Sequence, residues 1–138
     1  MTQREFAYSV RIYWEDTDAG GIVYHANYLR YMERARGEML RELGYEQRRM
    51  LASGDPVIVV ADCNLKFRRS ARLDDLLTIK THVKTLRAAS IVFEQTIYRG
   101  DEVLVIGTVR CAAVDMTHGV PVVIPASLRS LFADETVQ

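Results

Sequence analysis

One helical repeat stands among runs that have the period of a strand, and this order limits the fold more than any other feature of the chain. Phe6, Tyr8, Val10 and Ile12 alternate with Ala7, Ser9, Arg11 and Tyr13, the period of two that marks a first strand. From Tyr28 the period changes. Leu29, Met32, Ala35, Met39, Leu40 and Leu43 fall on one side of a helix, with Arg30, Glu33, Arg34, Glu38 and Arg41 mostly opposite. Gly44 follows the last apolar position and suits a left-handed C-terminal cap. Tyr45 to Pro56 reads as a linker with a short helix in Gln47 to Ala52, closed by the turn residues Gly54-Asp55-Pro56. Strand-like runs follow at Val57 to Phe67, Leu76 to Leu86, Ala89 to Tyr98 and Val103 to Val114. The breaks Arg87-Ala88 and Arg99-Gly100-Asp101 are short enough for hairpins, so these strands are antiparallel neighbours. Thr117-His118-Gly119 turns the chain, and Pro125 to Phe132 predicts a terminal helix.

A lone helix of about four turns needs its apolar stripe covered, and a five-stranded sheet needs a cover for its apolar face. The economical solution is an α+β layer: a curved five-stranded antiparallel sheet wrapped around one long central helix. Val57-Ile58-Val59-Val60-Ala61 is continuously apolar and is expected to be buried on both faces. Such a sheet retains open edges, which self-association commonly covers, so a homodimer at minimum is expected.

All 138 residues fit one domain with a core that needs no staples. Lys and Arg total 18 against 18 Asp and Glu, which excludes an overall field drawing the chain to nucleic acid or an acidic membrane. Cys63 and Cys111 lack C-x-x-C spacing and are expected as two buried free thiols of a reducing compartment. Met1 to Tyr8 has no signal-peptide pattern, and no apolar run approaches the ~18 residues of a membrane helix, so a cytoplasmic location is expected.

The chemistry concentrates between the first strand and the helix. A loop rich in carboxylate and glycine here delivers an anion close to the free N–H groups of a helix start. Asp18 is the leading candidate for nucleophile or base; its plain structural role would be an Asx-turn or a cap. Gly20 and Gly21 permit close approach of backbone to a ligand. His25 falls at the helix start, where a lone histidine is otherwise a hydrogen-bonded structural residue. Asn27 competes as a cap for the same N–H groups. Glu15 reads as solvated or paired to an arginine, and Asp16 as a turn residue. Tyr24, Tyr28 and Tyr31 read as helix packing, with Tyr24 also placed to line a ligand pocket.

The run Tyr13-Trp14-Glu15-Asp16-Thr17-Asp18-Ala19-Gly20-Gly21-Ile22-Val23-Tyr24-His25-Ala26-Asn27-Tyr28 through Arg36 resembles the signature of hotdog-fold acyl-CoA thioesterases. It is closest to the YbgC-type, Tol–Pal-associated branch, which is related to 4-hydroxybenzoyl-CoA thioesterase. A looser likeness extends through Ala71-Arg72-Leu73-Asp74-Asp75. The resemblance implies the layer fold above, working as a dimer or a dimer of dimers (a homotetramer). It implies Asp18 as the catalytic carboxylate. It implies His25 at the position whose backbone N–H polarises the thioester carbonyl, its side chain also being implicated in this branch. Trp14 departs from relatives that carry Tyr there, which bears on chain-length preference. No cofactor is implied beyond the coenzyme A of the substrate.

Lys66, Arg68, Arg69 and Arg72 form a basic segment suited to the phosphates of coenzyme A; its plain reading is a solvated face. In a dimer it is expected beside the partner's active loop. Ser53, Ser70, Ser90 and Ser127 lie in no G-x-S-x-G context, and His25, His82 and His118 have no ligand spacing with the cysteines, so neither a serine hydrolase nor a metal site is expected. The expected function is hydrolysis of an acyl-CoA to free acid and coenzyme A. Two alternatives remain at this stage: a hotdog enoyl-CoA hydratase or dehydratase, and a non-catalytic module of cell-envelope or lipid-synthesis machinery. Acyl carrier protein stands beside acyl-CoA and a second copy of the chain as a candidate partner, with neither nucleic acid nor membrane insertion.

Overall fold

The computed structural model describes residues 4–133; residues 1–3 of the polar start and residues 134–138 lie outside it. The elements run β1 (Phe6–Arg11), α1 (Asn27–Glu42), α2 (Gln47–Ala52), β2 (Val57–Phe67), β3 (Leu76–Leu86), β4 (Ser90–Arg99), β5 (Glu102–Asp115), β6 (Val120–Pro121) and α3 (Ala126–Ala133). The strands pair antiparallel in the order β1-β3-β4-β5-β2, with β6 against the end of β5. The sheet therefore gains a sixth, two-residue strand beyond the five expected, because the Thr117–Gly119 turn folds Val120 and Pro121 back onto Asp115 and Val114. Among the described residues no helix is long and apolar enough to cross a membrane.

The first strand ends at Arg11, and Trp14–Asp16 close into a single 3-10 turn. Trp14 is thus 78% exposed in a turn instead of continuing the strand. α1 lies across one face of the sheet and buries Tyr28, Tyr31, Met32, Ala35, Met39 and Leu40. Leu29, expected on this face, is exposed; the buried stripe is rotated toward Tyr28 and Tyr31. Two apolar clusters result. One joins the C-terminal half of α1 to Val83, Ile91, Phe93, Val109 and the terminal helix residues Leu128 and Phe132. The other joins the N-terminal half of α1 to Ile12, Leu77, Ile79, Ile97 and Leu104.

A polar knot sits where α1 crosses the middle of the sheet. Gln95 and its cross-strand neighbour Thr81 are both fully buried. The Gln95 amide donates to the Met32 carbonyl at 2.8 Å and to the Thr81 hydroxyl at 2.9 Å, and its oxygen accepts from Arg36 at 2.9 Å. Beside it, Gly107 leaves room for Met32, whose Cε would lie 2.7 Å from a β-carbon there. The helix end is closed by a Schellman motif: Gly44 (φ 91°) donates to Arg41 O and Tyr45 to Leu40 O, at 3.0 and 2.9 Å.

Two burial expectations are overturned. Val57–Ala61 was expected between two layers, but β2 ends the sheet and pairs only with β5. Val59 and Val60 are 38% and 50% exposed there. Cys63 lies on the same edge strand and is exposed; Cys111, on interior β5, is buried as expected. Burial pushes the Cys111 thiol pKa up, which keeps it protonated and poorly reactive.

Candidate active site

The loop between β1 and α1 is held from both sides. Thr17 bridges Val23, and Ile22 bridges Arg72, so residues 17–23 form a narrow hairpin whose return arm pairs with the segment before β3. Asp18 N–H donates to Ile22 O at 2.9 Å, and Val23 N–H to Ala71 O at 2.9 Å. At the tip, Gly20 N–H donates to Asp18 Oδ1 at 2.8 Å. A β-carbon on Gly20 would stand 3.1 Å from that same oxygen, and Gly21 has φ 80°, so both glycines serve the tight approach. The Asx-turn weighed for Asp18 is therefore present, and it engages one carboxylate oxygen only.

The helix start is open. Its cap position is Ala26, which offers no side-chain hydrogen bond. Asn27, the competing cap, instead donates its amide to Asp16 O at 2.9 Å. Among the described residues the backbone N–H groups of His25 and Ala26 have no acceptor. They lie at the positive end of the helix dipole, which favours negative charge.

Asp18, His25, Tyr28, Phe67, Arg68 and Arg69 line one cleft of about 220 Å³. The His25 ring packs between Tyr24, 4.7 Å between centroids, and Phe67, 6.2 Å and edge-on. Buried Ala71 donates its N–H to the Tyr28 hydroxyl at 3.0 Å, which fixes the basic segment against the helix. Desolvation raises the pKa of Tyr28 and outweighs the effect of that bond. Arg69 Nε is 3.0 Å from Glu102, which also meets Arg99 at 2.7 Å; Arg99 reaches Asp75 at 2.7 Å. Those bonds to Glu102 and Asp75 push the Arg99 pKa up. Arg68 makes no ion pair among the described residues and is the freer cation at the cleft. A similar cavity of about 230 Å³ between α1, α2 and β2 is lined by Leu40, Tyr45, Met50, Leu51 and Ile58 among others, with no carboxylate or histidine on its wall.

A family model described as the thioesterase superfamily matches residues 20–106. The chain belongs to the thioesterase superfamily. An acyl-CoA thioesterase YbgC of Haemophilus influenzae is 41% identical over 132 residues, covering 96% of this chain and 97% of that one. Among solved structures, a probable thioesterase from Bartonella henselae is 38% identical with a TM-score of 0.83, over 88% of this chain and 100% of that one. A 4-hydroxybenzoyl CoA thioesterase in an aspartate-to-asparagine mutant, complexed with 4-hydroxybenzoyl CoA, is 25% identical with a TM-score of 0.87, over 94% and 99%. The α+β sheet and helix of this thioesterase are the hotdog fold.

Of the residues singled out from sequence, the cleft of this thioesterase gathers Asp18, His25, Arg68 and Arg69. Tyr24 touches it through its ring contact with His25, and Gly20 and Gly21 shape the loop behind Asp18. Lys66 is not brought in: strand alternation puts it on the face opposite Phe67. Arg72 contributes its backbone, to the Ile22 bridge and to Asp75 Oδ2 at 2.8 Å, while its side chain is exposed. Within one chain, Arg68 and Arg69 of the basic segment lie beside the Asp18 loop. Phe67 is a cleft residue that sequence reasoning passed over, and Tyr28, read from sequence as helix packing, lines the cleft as well. Phe67, an aromatic at a strand end next to basic residues, was the available signal.

Proposed function

We propose that this protein hydrolyses acyl-CoA thioesters to the free acid and coenzyme A, with Asp18 as nucleophile or general base and the helix-start N–H groups near His25 as the oxyanion site. The carrying observation is a single cleft lined by both Asp18 and His25, with His25 next to the uncapped helix start. The names carried by relatives support the substrate class, since the Haemophilus influenzae protein is an acyl-CoA thioesterase.

A thioester has an electrophilic carbonyl and a good leaving group, so neither metal nor cofactor is required. In one route the Asp18 carboxylate attacks the carbonyl carbon, the C–S bond breaks, and coenzyme A leaves as thiolate. Water then opens the mixed anhydride and restores Asp18. In the other, Asp18 takes a proton from the water that attacks the carbonyl directly. Both build negative charge on the carbonyl oxygen, which the N–H groups of His25 and Ala26 are free to meet. One such donor is typically worth ~10²–10³ in rate. Arg68 and Arg69 take the coenzyme A phosphates, Arg69 by exchanging Glu102 for phosphate. The edge of β2, with Val59 and Val60 exposed, is the surface we assign to a second copy of the chain, as a dimer or a tetramer built from dimers. Acyl carrier protein is the further partner this reading allows, and the cytoplasm its location.

The test is a panel of short aliphatic, long aliphatic and aromatic acyl-CoA thioesters, followed by release of free thiol. Saturable release from at least one member supports the reading. No release from any of them would sink it.

A further inference from the structure

Asp16 is a hub that the chemistry above does not use. Its carboxylate accepts from Tyr13 N–H at 2.8 Å. Its backbone carbonyl accepts from Tyr24 N–H at 3.0 Å and from the Asn27 amide at 2.9 Å. The chain leaving β1, the turn before α1 and the first residue of α1 therefore meet at one residue. Asp18 follows Asp16 by two positions, and His25 follows Tyr24 by one. The hub thus lies a few bonds from the carboxylate on one side and from the open N–H groups on the other.

Asn27 is the informative member. It is the first residue of the sixteen-residue helix, one past the cap position Ala26, so its side chain is not committed to the helix's own N–H groups. Here its side chain is turned away to a residue eleven positions earlier. That bond tethers the loop to the helix start, next to the open donors of His25 and Ala26. Tyr31, one turn further on, faces the same hub. It is 1% exposed, and among the described residues its hydroxyl has no hydrogen-bond partner, though the Asp16 carboxylate is close enough to help burial raise its pKa.

We infer that Asn27, acting through Asp16, is a positioning residue for thioester hydrolysis: it fixes the separation between the Asp18 carboxylate and the helix-start donors. This rests on the roles given to Asp18 and those donors under Proposed function. Misplacement of a reacting group by about 1 Å costs on the order of a hundredfold in rate. The cations at the cleft stay in place, so substrate binding is spared.

The experiment compares wild type, Asn27→Ala, Asn27→Asp, Asp18→Asn and the double variant Asp18→Asn/Asn27→Ala on one acyl-CoA, well below every Tm. Asn27→Ala should lower kcat roughly tenfold to a hundredfold with KM within about twofold. Asn27→Asp keeps the shape but loses the donor, and should fall equally. The double variant should be no slower than Asp18→Asn within about twofold, because Asn27 works through Asp18. Wild-type kcat in either Asn27 variant overturns the inference, as do independent losses that multiply in the double variant. If Asp18→Asn is inactive while Asn27→Ala is normal, only this inference fails. If wild type releases no thiol, both readings fail together.

Discussion

Replacing Gln95 with leucine removes three hydrogen bonds from the centre of the molecule and should be among the most destabilising single changes available. The amide gives up its bonds to Met32 O and Thr81 Oγ1, and Arg36 loses its acceptor. Two neutral bonds at about 0.5–1.5 kcal/mol each and one to a charged donor at about 1.5–3 kcal/mol amount to roughly 2.5–6 kcal/mol. The leucine returns about 1 kcal/mol through its apolar surface. The net loss of ~1.5–5 kcal/mol corresponds to a fall in Tm of roughly 5–15 °C for a chain of this size. Burial already lowers the Arg36 pKa, so the stranded guanidinium has little solvent to turn to. Urea unfolding read by circular dichroism, at one fixed protomer concentration, measures the loss directly. Thr81→Val added to Gln95→Leu should cost less than Thr81→Val alone, since one bond is already gone. A Gln95→Leu protein within about 0.5 kcal/mol of wild type would refute the claim that this knot fastens α1 to the sheet.

Tyr28→Phe takes away the acceptor of the buried Ala71 N–H and should cost about 1–3 kcal/mol, with faster hydrogen exchange at Ala71; unchanged exchange would mean that the bond does not hold the basic segment. Arg68→Ala should raise KM for an acyl-CoA roughly threefold to tenfold and flatten its dependence on salt, with kcat within about twofold. Constant KM across salt in both proteins would remove Arg68 from phosphate binding.

Much of the scaffold is legible in the sequence because it is local. The runs Val57–Phe67 and Leu76–Leu86 form strands with those same ends, and α1 begins one residue before the periodic stretch. Hairpin breaks of two or three residues leave the chain little choice but antiparallel neighbours. Burial of Val57–Ala61 is not legible, since an apolar run looks alike in an interior strand and in an edge held for another surface. Gln95 is partly legible: it continues the inward series Ile91, Phe93, Ile97, and a polar residue in such a series needs buried partners. Those partners, Met32 and Thr81, are 63 and 14 residues away, and no local pattern names them. At the site, Asp18 and His25 stand out because carboxylate, glycines and helix start are contiguous. The hub at Asp16 does not, because its function lies mainly in a backbone carbonyl, which every residue possesses. Lys66 shows the opposite limit, since a charge count cannot see strand alternation.

The central claim is that Asp18 performs the chemistry, and Asp18→Asn measures it most directly. The variant keeps an oxygen for the Gly20 N–H, so the loop should fold as before. With an acyl-CoA that wild type turns over, free-thiol release should fall at least about a hundredfold in kcat, with circular dichroism and oligomeric size unchanged. Turnover by that folded variant at the wild-type rate would contradict the account.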